Sequence, residues 1–156
     1  MRNMRRSDRA IEKEEALQIL ENGEYGVLST VGSDNQPYGF PVSFCVFDHN
    51  IYFHCAFEGH KIDNFTYNPK VSFCVIGNTC VLPSKFSTEY ESTIVFGLLS
   101  EVFDNEKQKA LEGLVHKYSS DHLPDGLKYI GKQKDKTKVF RIAIETITGK
   151  ARKRSG

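Results

Sequence analysis

Apolar and polar residues alternate with a period of two along six stretches of the chain, which is the spacing of a β-strand with one buried face. The six stretches are residues 25–31, 38–47, 51–56, 70–76, 91–103 and 138–148. Short turns rich in glycine, asparagine and aspartate join several of them, so neighbouring strands run antiparallel. We therefore expect a mainly β fold in which six antiparallel strands surround one core.

A helical period of three to four residues appears in two longer stretches, residues 12–23 and 104–119. Acidic residues crowd the first turn of the earlier stretch, and Gly23 ends it. The later stretch has an apolar stripe that consists of Ala110, Leu111, Leu114, Val115 and Tyr118. A short helix is expected over 62–68 and a weaker one around 127–132. Because these helices do not alternate with the strands, we expect them to flank a closed or partly closed six-stranded β-barrel.

Two residues mark irregular positions in the predicted strands. Pro41 lies inside the second strand and has no N–H to donate, which predicts a sheet edge or a bulge. Gly97 in the fifth strand predicts a bulge or a close backbone approach. On that same strand Val95, Leu98 and Leu99 are expected to need cover, which the two-fold pairing of two chains would supply.

The length of 156 residues suits a single domain over residues 1–156. Lysine and arginine number 21 and acidic residues 20, so the bulk charge indicates neither a nucleic-acid nor a membrane partner. Basic residues gather at both ends, where we expect solvated, flexible tails, with phosphate binding as the alternative. No apolar run approaches the roughly 20 residues of a membrane helix, and no signal-peptide core appears. We therefore expect a cytoplasmic protein.

The four cysteines, Cys45, Cys55, Cys74 and Cys80, form no CxxC pair and have no spacing typical of zinc ligands. Three of them lie inside apolar strand patterns. We expect these to be buried thiols that pack as small hydrophobic side chains, and we expect no metal site.

A glycine and two basic residues, Gly59, His60 and Lys61, lie where the third strand gives way to the short helix. A helix N-terminus has unpaired N–H groups and a partial positive charge, so each added cation costs about 0.3–1 kcal/mol. A bound phosphate reverses the sign of that interaction, because the N–H groups, the ammonium and the imidazole can all donate to it. The pattern alone leaves two interpretations open, a phosphate site or a solvated basic turn.

The stretch IYFHCAFEGHKIDNFTYNPKVSFCV resembles the FMN-phosphate segment of the pyridoxamine 5′-phosphate oxidase-like split-barrel superfamily. Further landmarks resemble its nitroimidazole-resistance reductase branch, namely MRRSDR, YGVLSTVGSDNQPYGFPVSF, YESTIVFGLLSEV and ITGKA. Together they run from Met4 to about Ala151. The resemblance implies an FMN-binding split barrel and a homodimer with its flavin sites at the interface.

The resemblance also implies which residues would bind FMN. Lys61 occupies the position of the family's phosphate lysine, and His60 stands where relatives often have arginine. Ser92 would reach the phosphate or the ribityl chain, usually across the dimer interface. His54 and Cys55 end a strand beside the flavin. The segment expected to run under the isoalloxazine ring and to offer it backbone groups consists of Pro41, Val42, Ser43, Phe44 and Cys45.

The function that the resemblance implies is that of an FMN-dependent oxidoreductase. It would take electrons from NAD(P)H or another donor and reduce a small electron-poor acceptor of the nitroimidazole or nitroaromatic kind. His54 is the candidate catalytic residue, as a proton donor to the acceptor, and the alternative is a strand histidine satisfied by a neighbour. For the whole chain, the alternative is a non-catalytic flavin- or haem-binding sensor or storage protein of the same fold.

The C-terminal sequence departs from that of the vitamin-metabolising members of the superfamily. True pyridoxamine 5′-phosphate oxidases close with an arginine- and histidine-bearing segment that grips the substrate phosphate. This chain closes with ETITGKARKRSG and contains no tryptophan. The departure argues against oxidation of the vitamin substrate and leaves the predicted flavin site intact.

Overall fold

The computed structural model describes residues 2–153 of the chain. Within this range seven β-strands form one antiparallel sheet, and four α-helices flank it. The strands are β1 Gly26–Val31, β2 Pro37–Val42, β3 Cys45–Phe47, β4 Asn50–Cys55, β5 Lys70–Leu82, β6 Ser87–Val102 and β7 Lys138–Arg152. The helices are α1 Lys13–Asn22, α2 His60–Tyr67, α3 Asp104–Tyr118 and α4 Leu123–Gln133.

The sheet has the strand order β2-β1-β5-β6-β7-β4-β3. Its two edges are therefore β2 and β3, although only Ser43 and Phe44 separate these strands in sequence. A link of this length spans at most about 11 Å, so the sheet must curl until its edges lie side by side. The result is a barrel that is split between β2 and β3, because these two strands do not pair with each other.

The stretch predicted as one strand over 38–47 is two strands, so the sheet has seven strands rather than the expected six. The break falls at Phe44, whose side chain is 0% exposed. The backbone N–H and C=O of Phe44 contact the hydroxyl of Tyr118 instead of a neighbouring strand. The apolar pattern runs unbroken through this stretch and could not indicate the break.

Strands β5 and β6 extend beyond their predicted ends into a hairpin of residues 80–89, the β5–β6 arm. Along the arm the two strands pair only with each other, because the pairing of β7 stops at Tyr90. Phe86 at the tip has a φ of 49° and is 97% exposed. The arm could not be predicted from the sequence, since polar residues interrupt the apolar alternation between residues 77 and 90.

Apolar side chains fall into two clusters, which lie on opposite sides of β4 and β7. The main cluster fills the barrel, and the second lies under α3 and α4. In β4, Phe53 and Cys55 face the main cluster and Tyr52 faces the second, as the period of two predicts. Of the three thiols expected to be buried, Cys45 and Cys55 are buried and Cys74 is half-buried.

Both predicted irregular positions are confirmed. Pro41 lies in the edge strand β2, where a missing N–H breaks no strand pairing. At Gly97 the register between β6 and β7 shifts, and a Cβ added there would lie 2.4 Å from the carbonyl oxygen of Ala143. Any larger residue would therefore push the two strands apart.

The outward face of β6 differs in part from the expectation. Val95 and Leu99 face the core and need no cover, so that part of the prediction is wrong. Leu98 does face outward, together with Ile94 and Phe96, and these three side chains are 42%, 40% and 46% exposed. The alternation of β6 places them in one row on the uncovered face of the sheet.

The N-terminal segment packs along β6 and β7. The Arg9 guanidinium donates to the Tyr90 hydroxyl at 3.4 Å, and Ala10 forms a bridge with Lys150. The expectation of flexible ends falls in part on residues 1 and 154–156, which lie outside the described residues.

Candidate functional site

Helix α2 begins directly after Gly59, at the predicted strand-to-helix junction. Gly59 has φ 135° and ψ 173°, a conformation that essentially only glycine adopts. The Asp63 N–H donates to the Gly59 carbonyl, and no side chain caps the helix. The N–H groups of the first turn are therefore available to a ligand.

The two basic residues at the start of α2 lie against aromatic rings of the edge strand β2. The His60 imidazole stacks on Tyr38, with the ring centroids 4.2 Å apart. The Lys61 ammonium lies 4.5 Å from the centroid of the Phe40 ring, within the range of a cation–π contact. Both side chains are thus held beside a strand edge that has no strand partner among the described residues.

Buried contacts fix the orientation of α2. The Asn64 amide donates to the Thr30 hydroxyl at 3.0 Å, and that hydroxyl donates to the Tyr38 carbonyl at 3.1 Å. Both Asn64 and Thr30 are buried, and a buried polar group that loses its partner costs about 1–3 kcal/mol. Phe65, in the same helix, packs edge-on against Phe140 of β7. The position of the basic pair is therefore set by the core.

His54 lies on the outer face of β4, where its ring remains accessible to solvent. Nearby protein atoms still remove enough water to lower the pKa of the imidazole below 6.5, and the positive charge of Lys61 lowers it further. Lys61 is therefore close enough to His54 for its charge to act on the imidazole. Cys55 faces the core, and burial raises the pKa of its thiol to about 11, so it stays protonated at neutral pH.

The first half of the segment 41–45 is open to a ligand. Pro41 and Ser43 are exposed, and Val42 is half-buried. They lie at the free edge of the sheet and in the link that follows it. That these residues offer backbone groups to a flavin ring stays a prediction.

The second half of that segment is turned toward the protein. Tyr118 holds the backbone of Phe44, with its hydroxyl oxygen 3.0 Å from the nitrogen and 3.1 Å from the oxygen. The Cys45 thiol donates to the Ala110 carbonyl at 3.6 Å, and burial raises its pKa to about 11. The hydrogen-bonding groups nearest a ligand therefore come from residues 41–43.

Ser92 lies apart from the basic pair within one chain. Lys61 lies on Phe40 of β2, and strand pairing relates Phe40 through Leu28 and Phe73 to Val95 of β6. Ser92 is three strands away from Phe40 and three residues along β6, and it faces outward whereas Phe40 is buried in the core. A role for Ser92 at the phosphate of the same chain therefore finds no support in the geometry, and its role across a dimer interface stays a prediction.

Sequence reasoning missed four residues around the site. Tyr38 and Phe40, which support the basic pair, read only as strand residues, because the contact joins segments that are distant in sequence. Tyr118 follows the apolar stripe of its helix, and no pattern in the sequence distinguishes Lys117 from a solvated lysine. Only the two aromatic residues at alternate positions of β2, Tyr38 and Phe40, could have suggested a surface for a cation.

The start of α2 fits the phosphate of a flavin mononucleotide. The open N–H groups, the Lys61 ammonium and an N–H of His60 can all donate to phosphate oxygens. A Cβ added at Gly59 would meet no atom within 4 Å, so the approach to the junction is open. That a phosphate binds at this junction stays a prediction.

Residues 2–153 contain neither a cluster of metal-binding side chains nor a membrane-spanning helix. Within that range no group of three histidine, cysteine, aspartate or glutamate residues could hold a metal ion. No helix in the same range has the length and apolar character needed to cross a membrane.

Solved structures share this fold at low sequence identity. A candidate 5-nitroimidazole antibiotic resistance protein from Bacteroides thetaiotaomicron is 21% identical, with a TM-score of 0.75 over 91% of this chain and 86% of that chain. A conserved hypothetical protein from Mycobacterium tuberculosis is 17% identical, with a TM-score of 0.81 over 96% and 90%. An FAD and haem binding protein from Mycobacterium smegmatis is 18% identical, with a TM-score of 0.77 over 92% and 72%. At these identities the likeness shows the split-barrel fold alone.

Comparison at the level of sequence identifies a family. No curated protein matches the chain. The family model described as pyridoxamine 5′-phosphate oxidase matches residues 12–151, from the residue before α1 to the penultimate residue of β7. The match includes the whole of α2 and the strands on either side of it. The chain therefore belongs to the pyridoxamine 5′-phosphate oxidase family.

Proposed function

We propose that this protein is an FMN-dependent oxidoreductase that reduces a small electron-poor acceptor of the nitroimidazole or nitroaromatic kind. The observation that carries the proposal is the uncapped start of α2, where His60 and Lys61 lie beside the free edge of β2. Family membership supports a flavin rather than another phosphate ligand. The fold shared with an FAD and haem binding protein supports the flavin, and the fold shared with a candidate nitroimidazole resistance protein supports the kind of acceptor.

The residues of the chain divide the work of binding between phosphate and ring. Lys61 and His60 would bind the phosphate together with the N–H groups of the first turn of α2. Residues 41–43 would offer backbone groups to the polar edge of the ring, because they lie at the free edge of the sheet. The bound flavin would accept electrons from NAD(P)H or another donor and pass them to the acceptor.

His54 would hold a proton on a ring nitrogen and donate it to the acceptor. Its pKa lies below 6.5, so the protonated form becomes more populated as the solution becomes mildly acidic. Proton donation by a positioned side chain contributes about 10²–10⁴ in rate. We therefore expect acceptor reduction to be faster below neutral pH than above it.

Two chains would build the flavin sites together as a homodimer. The outward row of Ile94, Phe96 and Leu98 provides an apolar surface for the second copy. Ser92 lies on the same outward row and far from the phosphate site of its own chain, so it is better placed to reach the site of the partner. Light scattering at micromolar concentration should give the mass of a dimer, and a monomer that still binds FMN would contradict this arrangement.

The absorbance spectrum of the purified protein, before and after addition of FMN, tests the proposed function. We expect flavin bands that remain with the protein after gel filtration, and oxidation of NAD(P)H when a nitroaromatic compound is added. A Soret band would instead support the alternative, a haem-binding sensor or storage protein. A colourless protein that does not bind added FMN would contradict both the oxidoreductase and the haem-binding alternative.

A further inference from the structure

The last residue of α3, Tyr118, holds the two-residue link between the edges of the barrel. Its hydroxyl oxygen lies 3.0 Å from the backbone nitrogen of Phe44 and 3.1 Å from the backbone carbonyl oxygen of Phe44. It lies 2.5 Å from the backbone carbonyl oxygen of Glu24. A hydroxyl can accept one hydrogen bond and donate another, so it accepts from the Phe44 N–H and donates to a carbonyl, of which that of Glu24 is nearer. One side chain thus joins three segments of the chain.

The preceding residue, Lys117, contacts the same phenylalanine from the side of its ring. The Lys117 ammonium lies 3.6 Å from the centroid of the Phe44 ring, and it is shielded from solvent with no hydrogen-bond partner. Two consecutive residues of α3 therefore contact Phe44, Tyr118 at its backbone and Lys117 at its ring. No other residue of the segment 41–45 has its backbone N–H bonded to a side chain in the described structure.

The Tyr118 contact matters because the Phe44 side chain is packed in the core, whereas the backbone of the link has no strand partner. Residues 43 and 44 lie outside both edge strands, so strand pairing does not fix their backbone. Residues 41–43, which run from the end of β2 into this link, are those that would offer backbone groups to the flavin ring in the proposed function. A change in the backbone of Phe44 moves these residues directly, since a two-residue link cannot absorb it.

We infer that Tyr118 is a positioning residue for the flavin ring, which it serves by fixing the link at Phe44 from the end of α3. The inference rests on the proposed function. It makes the C-terminal turn of α3 a part of the ring-binding half of the site, as the start of α2 is the phosphate-binding half.

The test is the substitution Tyr118→Phe, which removes only the hydroxyl from a partly exposed ring. We expect the affinities for FMN and for riboflavin to fall by the same factor, about tenfold, because the two ligands share the ring. The ratio of the two affinities should therefore stay at the wild-type value. The absorption maximum of the bound flavin should also shift, as the polar edge of the ring loses a fixed partner. Fluorescence titration with each ligand measures both affinities.

The matched control is Tyr52→Phe. This substitution also removes a hydroxyl that joins the sheet to α3, since the Tyr52 hydroxyl donates to Glu106 at 3.1 Å. Glu106 keeps its contacts with Arg141, so the rest of that junction stays intact. We expect Tyr52→Phe to lower the melting temperature about as much as Tyr118→Phe, and to leave both flavin affinities unchanged.

Three results would overturn the inference. Tyr118→Phe could lower the melting temperature and leave riboflavin affinity unchanged, which would make the contact structural only. It could weaken FMN alone, which would connect the hydroxyl with the phosphate. It could also weaken both flavins no more than Tyr52→Phe does. Failure of the proposed function is distinguishable from each of these, because the wild-type protein would then bind neither flavin.

Discussion

The start of α2 and the end of α3 both meet the edge strands of the barrel, and they are built in opposite ways. At the start of α2 the helix N–H groups have no cap, and two cations lie on aromatic rings at an open strand edge. At the end of α3 the Tyr118 hydroxyl is bonded to Phe44 and Glu24. Groups left available indicate a place for a ligand, whereas groups already bonded indicate a joint. We therefore call the start of α2 the binding element and the end of α3 the holding element.

Substitution of Lys61 should give the largest effect at the binding element. Loss of a charge-assisted hydrogen bond costs roughly 1.5–3 kcal/mol, so Lys61→Ala should weaken FMN about ten- to a hundredfold. Riboflavin, which lacks the phosphate, should bind as tightly as to the wild type. His60→Ala is the control, and at pH 8 it should weaken FMN far less than Lys61→Ala does. Equal losses for FMN and riboflavin would show that the lysine supports the fold instead.

Substitution of His54 tests whether chemistry also resides next to the binding element. His54→Gln should keep the FMN affinity and slow acceptor reduction at least tenfold, because a glutamine cannot supply the proton. Reduction of the flavin by the donor should change little. Stopped-flow measurement of the two half-reactions separates these effects. If both half-reactions slow equally, His54 supports the site without moving a proton.

Substitution of Lys117 tests the holding element. Its shielded ammonium has no hydrogen-bond partner, which costs about 1–3 kcal/mol, and its contact with the Phe44 ring returns only about 0.5–1 kcal/mol. Lys117→Met should therefore raise the free energy of unfolding by about 1 kcal/mol. The control is Lys109→Met, since Lys109 lies 4.9 Å from the Phe47 ring but is exposed, and its change should stay within about 0.5 kcal/mol. Denaturant titration measures both, and destabilisation by Lys117→Met would be the contrary result.

The smallest expected effect is the change in the pKa of His54 when the Lys61 charge is removed. Lys61 disfavours the protonated imidazole, so Lys61→Ala should raise the His54 pKa toward 6.5. In the wild type the folded state binds fewer protons than the unfolded state, and the His54 contribution to stability is lost as the pH falls below 6.5. That loss should be smaller in Lys61→Ala. NMR titration of the imidazole measures the pKa, and unfolding at pH 5.5 and 7.5 measures the change in stability. An unchanged pKa would show that the Lys61 charge does not act on His54.

The regular parts of the fold were predictable from local pattern. The alternation around Phe53 set the faces of β4, Pro41 marked an edge strand and Gly97 marked a bulge. The break at Phe44 was not predictable, because a side chain 74 residues away replaces the strand partner there. The β5–β6 arm was missed because its pairing needs no buried face and so leaves no apolar alternation.

The candidate site was predictable to a similar degree. A cation at a helix N-terminus is locally unfavourable, so Lys61 could be singled out without any tertiary information. The rings of Tyr38 and Phe40 that support the basic pair come from another strand, and nothing near them in sequence indicates the contact. Tyr118 follows the helical period of its apolar neighbours, so the sequence pattern does not indicate the hydrogen bonds of its hydroxyl.

The sheet order also constrains when the chain can fold. Strand β4 pairs with β7, so that Asn50 meets Ala143 and Cys55 meets Lys138. The β3–β4 hairpin therefore cannot join the sheet on the ribosome until β7 has been synthesised. Pairings of such long range are slow to form and leave earlier strands waiting with open edges. Closure of the barrel is thus a late event, and the apolar side of β4 is the surface that a chaperone would meet during synthesis.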